Sequence, residues 1–323
     1  MSSIVGIDIA KHSFDIATQQ TNGKYRTKAK LANSLVGFQV LQSWLEQYSA
    51  PGAWIVMEAT GIYHEALAEY LYSLGYQVCV MNPAQIASYA KSQLQRVKTD
   101  KIDAKLIANY GQRHADELRA WCPEPAATRQ LRALVRRLQD LQEIEQMERN
   151  RLEVADTNVQ ASICSVLEHI ELQIAETRKL IQQHIDNDPD LRGKRDLLVS
   201  IDGIGERTAA QLLAGLGDPL RFDSARAITA FVGLNPQLQE SGKHKGRVRI
   251  SRVGSARLRA SLYMPALVSM THNPAVRALA QRLRERGKTG KQIVCAAMRK
   301  LLHIAYGVLK SGEPFNPEKA LAH

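Results

Sequence analysis

Four carboxylates stand where a charge is costly or where two charges repel. Asp8 sits inside an apolar run, with Ile4, Val5, Ile7 and Ile9 around it, and a buried carboxylate is costly unless it is paired or bound to a cation. Glu58 repeats the situation at the end of Trp54-Ile55-Val56-Met57, after which Ala59-Thr60-Gly61 lets the chain turn away. Asp100 and Asp103 occur in Lys98-Thr99-Asp100-Lys101-Ile102-Asp103-Ala104, a spacing that puts both on one face of a helix about one turn apart. Hard cations between them relieve the repulsion. Mg²⁺ takes oxygen ligands and suits phosphate substrates, and two such ions about 4 Å apart can stabilise the attacking and leaving oxygens of phosphoryl transfer. Asp8, Glu58, Asp100 and Asp103 are therefore the candidate Mg²⁺ ligands, for two ions, and the candidate catalytic acids.

The elements that must position them read as strands first and helices later. Ser3 to Ile9 is apolar, Ser13 to Thr18 alternates, and Asn22-Gly23 is a hairpin-turn signal ahead of Tyr25 to Ala29, which predicts three antiparallel strands. A helix from about Ser34 to Tyr48 ends at Pro51-Gly52, a buried strand covers Ala53 to Met57, a helix lies near Tyr63 to Leu74, and a fifth strand spans Gln77 to Met81. The order βββαβαβα occupies residues 1–125. From 126 to 190, Leu131, Leu134, Leu138 and Leu141 at spacings of three and four mark long charged helices; these fit a coiled-coil hairpin or a helical bundle within one domain. Residues 191–323 read as helices with loops at 215–219, 235–236 and 243–246. The expected class is α/β plus α.

Charge sharpens the functional classes. Between Lys243 and Lys310 stand 16 Lys or Arg and a single acid, Glu285, while the rest of the chain holds 27 basic and 31 acidic residues. A one-signed stretch of that length is the footprint of a phosphate-backbone binder, and it suits DNA and RNA equally. No apolar run approaches the roughly 20 residues that span a bilayer, and no basic leader precedes the first strand, so a cytoplasmic protein away from membranes is expected. Cys79, Cys122, Cys164 and Cys295 are far apart, which predicts buried, reduced thiols rather than zinc or disulfides.

Gly6-Ile7-Asp8-Ile9-Ala10-Lys11, Met57-Glu58-Ala59-Thr60-Gly61-Ile62-Tyr63 and Lys98 to Ala104 resemble the three acidic blocks of the DEDD transposases of bacterial insertion sequences. That group is related to the pilin-gene DNA invertases and contains the bridge-RNA-guided recombinases. The resemblance implies a RuvC-like, ribonuclease-H-type domain over residues 1–125 with the four acids on Mg²⁺. It further implies a DNA-cutting and DNA-joining enzyme, a structured guide RNA, and a dimer or tetramer.

Two stretches of the second half carry the same likeness. Ser200-Ile201-Asp202-Gly203-Ile204-Gly205-Glu206 looks like a helix-hairpin-helix, in which amides near Gly203 and Gly205 can meet a phosphate at a helix N-terminus; the family usually has Pro where Asp202 stands. Farther on, Glu240-Ser241-Gly242-Lys243 leads to Lys245, Arg247, Arg249 and Arg252, a cation-rich loop suited to DNA phosphates. By composition Ser241 is a loop serine. By resemblance it is the family's nucleophile, forming a covalent phosphoserine link to cleaved DNA.

Other signals are weaker. Gly287-Lys288-Thr289-Gly290-Lys291 lacks the spacing of a phosphate-binding loop. His12, His64 and His244 form no metal-spaced cluster, and Tyr63 and Tyr263 read as packing residues rather than nucleophiles. Two rivals remain at this stage: a resolvase-type nuclease using metal-activated water, with Ser241 incidental, and a noncatalytic nucleic-acid-binding protein on the same scaffold.

Overall fold

A computed structural model describes residues 4–93, 100–237, 240–241, 244–245, 249–251 and 253–321, with side chains described at all of these except 100–102, 220, 237, 240, 241, 244, 245, 249 and 321. Two compact units, Met1–Pro123 and Glu124–His323, divide the chain.

The first unit is built on one five-stranded sheet. Strands β1 (Ile4–Ile9), β2 (Ser13–Gln19) and β3 (Tyr25–Ala32) form an antiparallel meander, followed by helix α1 (Leu35–Tyr48), strand β4 (Trp54–Glu58), helix α2 (Glu65–Ser73), strand β5 (Gln77–Met81) and helices α3 (Pro83–Ser92) and α4 (Asp100–Arg113). The expected βββαβαβα order is present. The sheet order is β3-β2-β1-β4-β5, with β1, β4 and β5 parallel. Alternation of side chains along a strand sorts the apolar residues onto two faces. Val5, Ile7, Ile9, Ile55 and Met57 join Leu41, Leu45, Leu67 and Leu71 of α1 and α2 in one core. Ile4, Val56, Cys79 and Met81 join Ile107 and Tyr110 of α4 in the other.

Two glycines set how closely α4 lies on the sheet. A Cβ at Gly6 would stand 2.4 Å from both the Ala104 carbonyl oxygen and the Ala108 nitrogen, and one at Gly111 would stand 2.9 Å from the Ile4 Cγ2. No side chain larger than hydrogen fits at Gly6 without moving the helix. Gly111 meets the start of β1 while Ala104 and Ala108 meet its middle, so α4 runs antiparallel to β1.

In the second unit, α5 (Ala126–Glu153) and α6 (Thr157–Asn187) form a long helical hairpin. Its seam contains Leu131, Val135, Leu138 and Leu141 opposite Leu167, Ile170, Ile174, Thr177, Ile181 and Ile185, at spacings of three and four. The hairpin shares a single apolar core with the helices that follow: α7 (Pro189–Val199), α8 (Glu206–Leu216), α9 (Ala225–Val232), α10 (Ala256–His272), α11 (Pro274–Glu285) and α12 (Gly290–Ser311). Between α9 and α10 the chain forms two short ladders absent from the sequence reading. Strand β6 (Pro236–Gln237) pairs with β9 (Arg249–Ile250), and β7 (Glu240–Ser241) pairs with β8 (His244–Lys245).

By length and mean hydropathy α12 would reach across a bilayer, but Arg299 and Lys300 interrupt it, and Ile293, Val294, Ala297, Met298, Leu301 and Leu302 bury its apolar side in the shared core. Two expectations need correction. Of the four thiols only Cys79 is buried; Cys122 and Cys164 are exposed, the latter because α6 is apolar only along its seam, and Cys295 is half-buried. Tyr63 and Tyr263 are 36% and 50% exposed rather than packed away.

Candidate active site at the carboxyl ends of two parallel strands

Asp8 and Glu58 are brought together by strand pairing. In the parallel ladder Ile7 is the register partner of Met57, so the next residue of each strand is Asp8 and Glu58, on neighbouring strands about 4.8 Å apart. Alternation places both on the face that α4 covers, opposite to Ile7 and Met57. Each is half-buried. Gly61, with φ of 55°, turns the chain out of the sheet after Glu58, a conformation that glycine adopts without strain.

The approach of α4 to the same strand end follows from the glycine contacts. Ala104 and Ala108 flank Gly6. Two residues along a strand advance about 6.6 Å, which a helix covers in roughly four residues. Moving two strand residues onward from Gly6 to Asp8 therefore moves back along α4 to its first turn, Asp100 to Asp103. Asp103 is half-buried there; Asp100 opens the helix, and its side chain lies outside the description. Among the described side chains no three carboxylate, imidazole or thiol groups form a ready metal cluster. As a donor set the acids fit a hard cation: all are carboxylates, the oxygen chemistry Mg²⁺ prefers.

Two residues around these acids were missed by sequence reasoning. Asp15, 6% exposed, is the antiparallel register partner of Asp8. Its Oδ1 accepts the Lys30 backbone N–H at 2.7 Å. Lys30 has a φ of 55° where the β2–β3 register shifts, so the carboxylate caps a bulge in the edge strand. An acid between Phe14 and Ile16 was the available signal. Asn33 is the second. Its Nδ2 donates to the Ala10 carbonyl at 3.2 Å and to the Tyr63 carbonyl at 3.0 Å, and its backbone N–H donates to the His12 carbonyl at 3.0 Å. The loop leaving Asp8 is thus tied to the loop leaving Glu58. No sequence pattern marks such a tie.

His64 begins α2 beyond the Glu58 loop, with its Nδ1 buried and without a hydrogen-bond partner. Burial lowers its pKa from the usual imidazole value, against the opposing pull of Glu65 and a backbone contact with Gly61.

In the second unit the backbone places Ser241 opposite His244 in the β7–β8 ladder. Lys245 lies on β8 and Arg249 on β9, while Lys243, Arg247 and Arg252 lie outside the described residues. The two glycines of the turn between α7 and α8 differ. Gly203, with φ of 102°, packs against α10, where a Cβ would stand 2.0 Å from the Ser269 Oγ, whereas Gly205 has open space around it. Ser269 Oγ donates to the Asp202 carbonyl at 2.9 Å, which pins the turn to α10.

Residues 5–155 match a DEDD transposase family profile of the IS110 type, and residues 195–281 match the profile of the transposase IS116/IS110/IS902 family. The pilin gene-inverting protein of Moraxella bovis is 35% identical over 97% of both chains, and that of Moraxella lacunata 36% identical over the same share. This chain belongs to the IS110 family of transposases. The transposase for insertion sequence element IS1328 of Yersinia enterocolitica, another relative, is 26% identical over 97% of this chain and 98% of its own. Membership makes the protein a DNA strand-cleaving and strand-transferring enzyme of the insertion-sequence class. Asp8, Glu58, Asp100 and Asp103 fall within the matched stretch 5–155, and Ser241 and the basic loop fall within 195–281.

Proposed function

We propose that the protein cuts and rejoins DNA through a serine nucleophile, with Mg²⁺ held by Asp8, Glu58, Asp100 and Asp103 in a RuvC-like, ribonuclease-H-type domain. The observation that carries this reading is the β1–β4 register, which sets Asp8 and Glu58 side by side on the face approached by the first turn of α4. When bound, Mg²⁺ neutralises charge developing on the transferring phosphoryl group and its attacking and leaving oxygens. The four acids hold the cations and fix where the phosphate sits, while Asn33 keeps their two supporting loops in register.

Ser241 supplies the hydroxyl that attacks. Its proton leaves to a base, its oxygen bonds to phosphorus, and a deoxyribose oxygen departs with a proton. The phosphoserine ester conserves the energy of the broken bond, so attack by another strand's hydroxyl rejoins DNA without ATP. His244, at the register position opposite Ser241, is suitably placed in the backbone to serve as that base. Gly205, Lys245, Arg249 and the flanking Lys243, Arg247 and Arg252 meet nucleic-acid phosphates, with Gly203 holding the turn. A structured guide RNA selects the DNA, and a dimer or tetramer brings donor and target together.

The test is to express the gene with its native flanking DNA, the source of any guide RNA, and to probe for denaturant-resistant protein–DNA adducts. An adduct that needs Mg²⁺ and disappears in Ser241→Ala is the expected result. Mg²⁺-dependent cutting that persists in Ser241→Ala without an adduct would overturn the serine mechanism in favour of metal-activated water. Salt-sensitive binding with no cutting, unchanged in Asp8→Asn, would overturn both.

A further inference from the structure

The N-terminal unit carries a basic groove on the sheet face opposite the acids. Residues of β3 and α1 line it, among them Arg26, Lys28, Val40, Trp44 and Tyr48, and the open groove has a volume of about 410 Å³. Among the described residues β3 is the last strand of the sheet and pairs with β2 alone. Two consecutive outward positions of that strand hold cations, Arg26 and Lys28, both exposed. Among the described residues neither forms an ion pair.

The groove is more than two exposed charges. The Arg26 guanidinium lies 3.9 Å from the centroid of the Tyr48 ring, and Tyr48 is backed by Trp44, 5.5 Å away between ring centroids and 6% exposed. Stacking holds the planar fork in place while leaving its N–H edge open, and an Arg held this way loses less freedom per hydrogen bond formed. Two residues of β-strand advance about 6.7 Å, close to the step between successive phosphates of a nucleic-acid strand.

We infer that the β3–α1 groove binds two successive phosphates of a nucleic-acid strand, with Arg26 and Lys28 as the contacting cations. This rests on the reading that the protein acts on nucleic acid, and it adds an anchoring site to the basic loop around Ser241. Arg26 and Lys28 lie on the α1 face and the acids on the α4 face, so the groove contributes to affinity and register and not to the chemical step.

The experiment measures binding of the full chain to fluorescein-labelled single-stranded RNA, single-stranded DNA and duplex DNA across a salt series, without Mg²⁺. Each neutralised phosphate contributes about 0.7 to the logarithmic salt slope on a single strand and about 0.9 on duplex. The double variant Arg26→Gln/Lys28→Gln is expected to lower the slope by about 1.4 or about 1.8 respectively, Lys28→Gln alone by half of that, and Arg26→Lys/Lys28→Arg to restore it. The probe showing the loss identifies the strand as RNA or DNA. An unchanged slope on all three probes would overturn the site and leave the cations as guards against strand pairing at an open edge. Affinity lost equally at every salt concentration would overturn it too, because that signals distortion of α1. Binding without Mg²⁺ is independent of the Ser241 adduct assay, so failure of either leaves the other readable.

Discussion

A carboxylate on a covered sheet face acts through its charge, so removing the charge while keeping the shape isolates its role. Asp8→Asn and Glu58→Gln are each expected to reduce strand cleavage by at least about 10²-fold, the scale of losing one preorganised electrostatic group, with far-UV circular dichroism unchanged. Asp15 makes a different prediction. Its Oδ1 satisfies the Lys30 N–H at the bulge in a half-buried hydrogen bond, and losing such a bond costs about 0.5–1.5 kcal/mol. Asp15→Ala is expected to lower the thermal midpoint, while Asp15→Asn, which keeps an acceptor oxygen, recovers most of it. A loss of cleavage in Asp15→Asn at unchanged stability would make Asp15 part of the chemistry as well. Asn33→Ala removes both ties between the loops beyond Asp8 and Glu58. It is expected to raise the Mg²⁺ concentration needed for half-maximal cleavage more than it lowers the maximal rate, and to weaken Mn²⁺ binding measured by calorimetry.

Among the elements, α4 is the one whose seating matters most, and its seating depends on absent side chains. Gly6→Val places two methyl groups where the Ala104 carbonyl and Ala108 nitrogen stand. Backbone cannot yield as a flexible side chain does, so the helix moves away. Overpacking of this kind costs about 1–3 kcal/mol or more. The expected result is a destabilised N-terminal unit and cleavage lost beyond what stability explains, since the Asp100–Asp103 turn moves with the helix. A crystal structure of Gly6→Val with α4 unmoved would refute the argument. The helical hairpin offers the contrasting case: Ile174→Ala in its seam is expected to cost about 2–5 kcal/mol, read in urea unfolding, with little effect on the N-terminal unit.

At the scale of the whole molecule, an imidazole in each unit sits where burial works against its charged form. Burial lowers the pKa of His64 in the first unit and, with help from Arg299, Lys300 and Arg226, that of His303 in the second. Both rings titrate at the ordinary value near 6.5 once unfolded. Between the lowered folded values and about 6.5 the unfolded chain binds more protons, so stability falls as pH drops below about 6.5 and is fully present above it. Urea midpoints measured from pH 7.5 down to pH 5 should decline, and His303→Gln should flatten that decline for the second unit. A decline unchanged in that variant would assign it to other groups.

How much of this was legible in advance depends on the range of the physics involved. Apolar alternation, the Asn22-Gly23 turn and the Asp100–Asp103 spacing are local, and the order of elements in the first unit followed from them. The three acidic blocks carried the family likeness for the same reason: each is a short contiguous string. Charge along the chain, summed without any fold, separated a basic C-terminal stretch from the rest. Pairing is not local. That β1 lies beside β4 in a register matching Ile7 to Met57, that Asp15 opposes Asp8, and that Gly6 is bare so that α4 can reach it are contacts between residues far apart in sequence. Their energies come from packing and backbone hydrogen bonds that no window of residues contains. The same holds for Asn33 and for the β3–α1 groove, whose cations gain meaning only when Tyr48 of another element lies beneath Arg26. The sequence by itself determined the candidate chemistry and the family; tertiary structure alone decided which acids are neighbours, because neighbourhood is set by strand register and helix seating rather than by spacing along the chain.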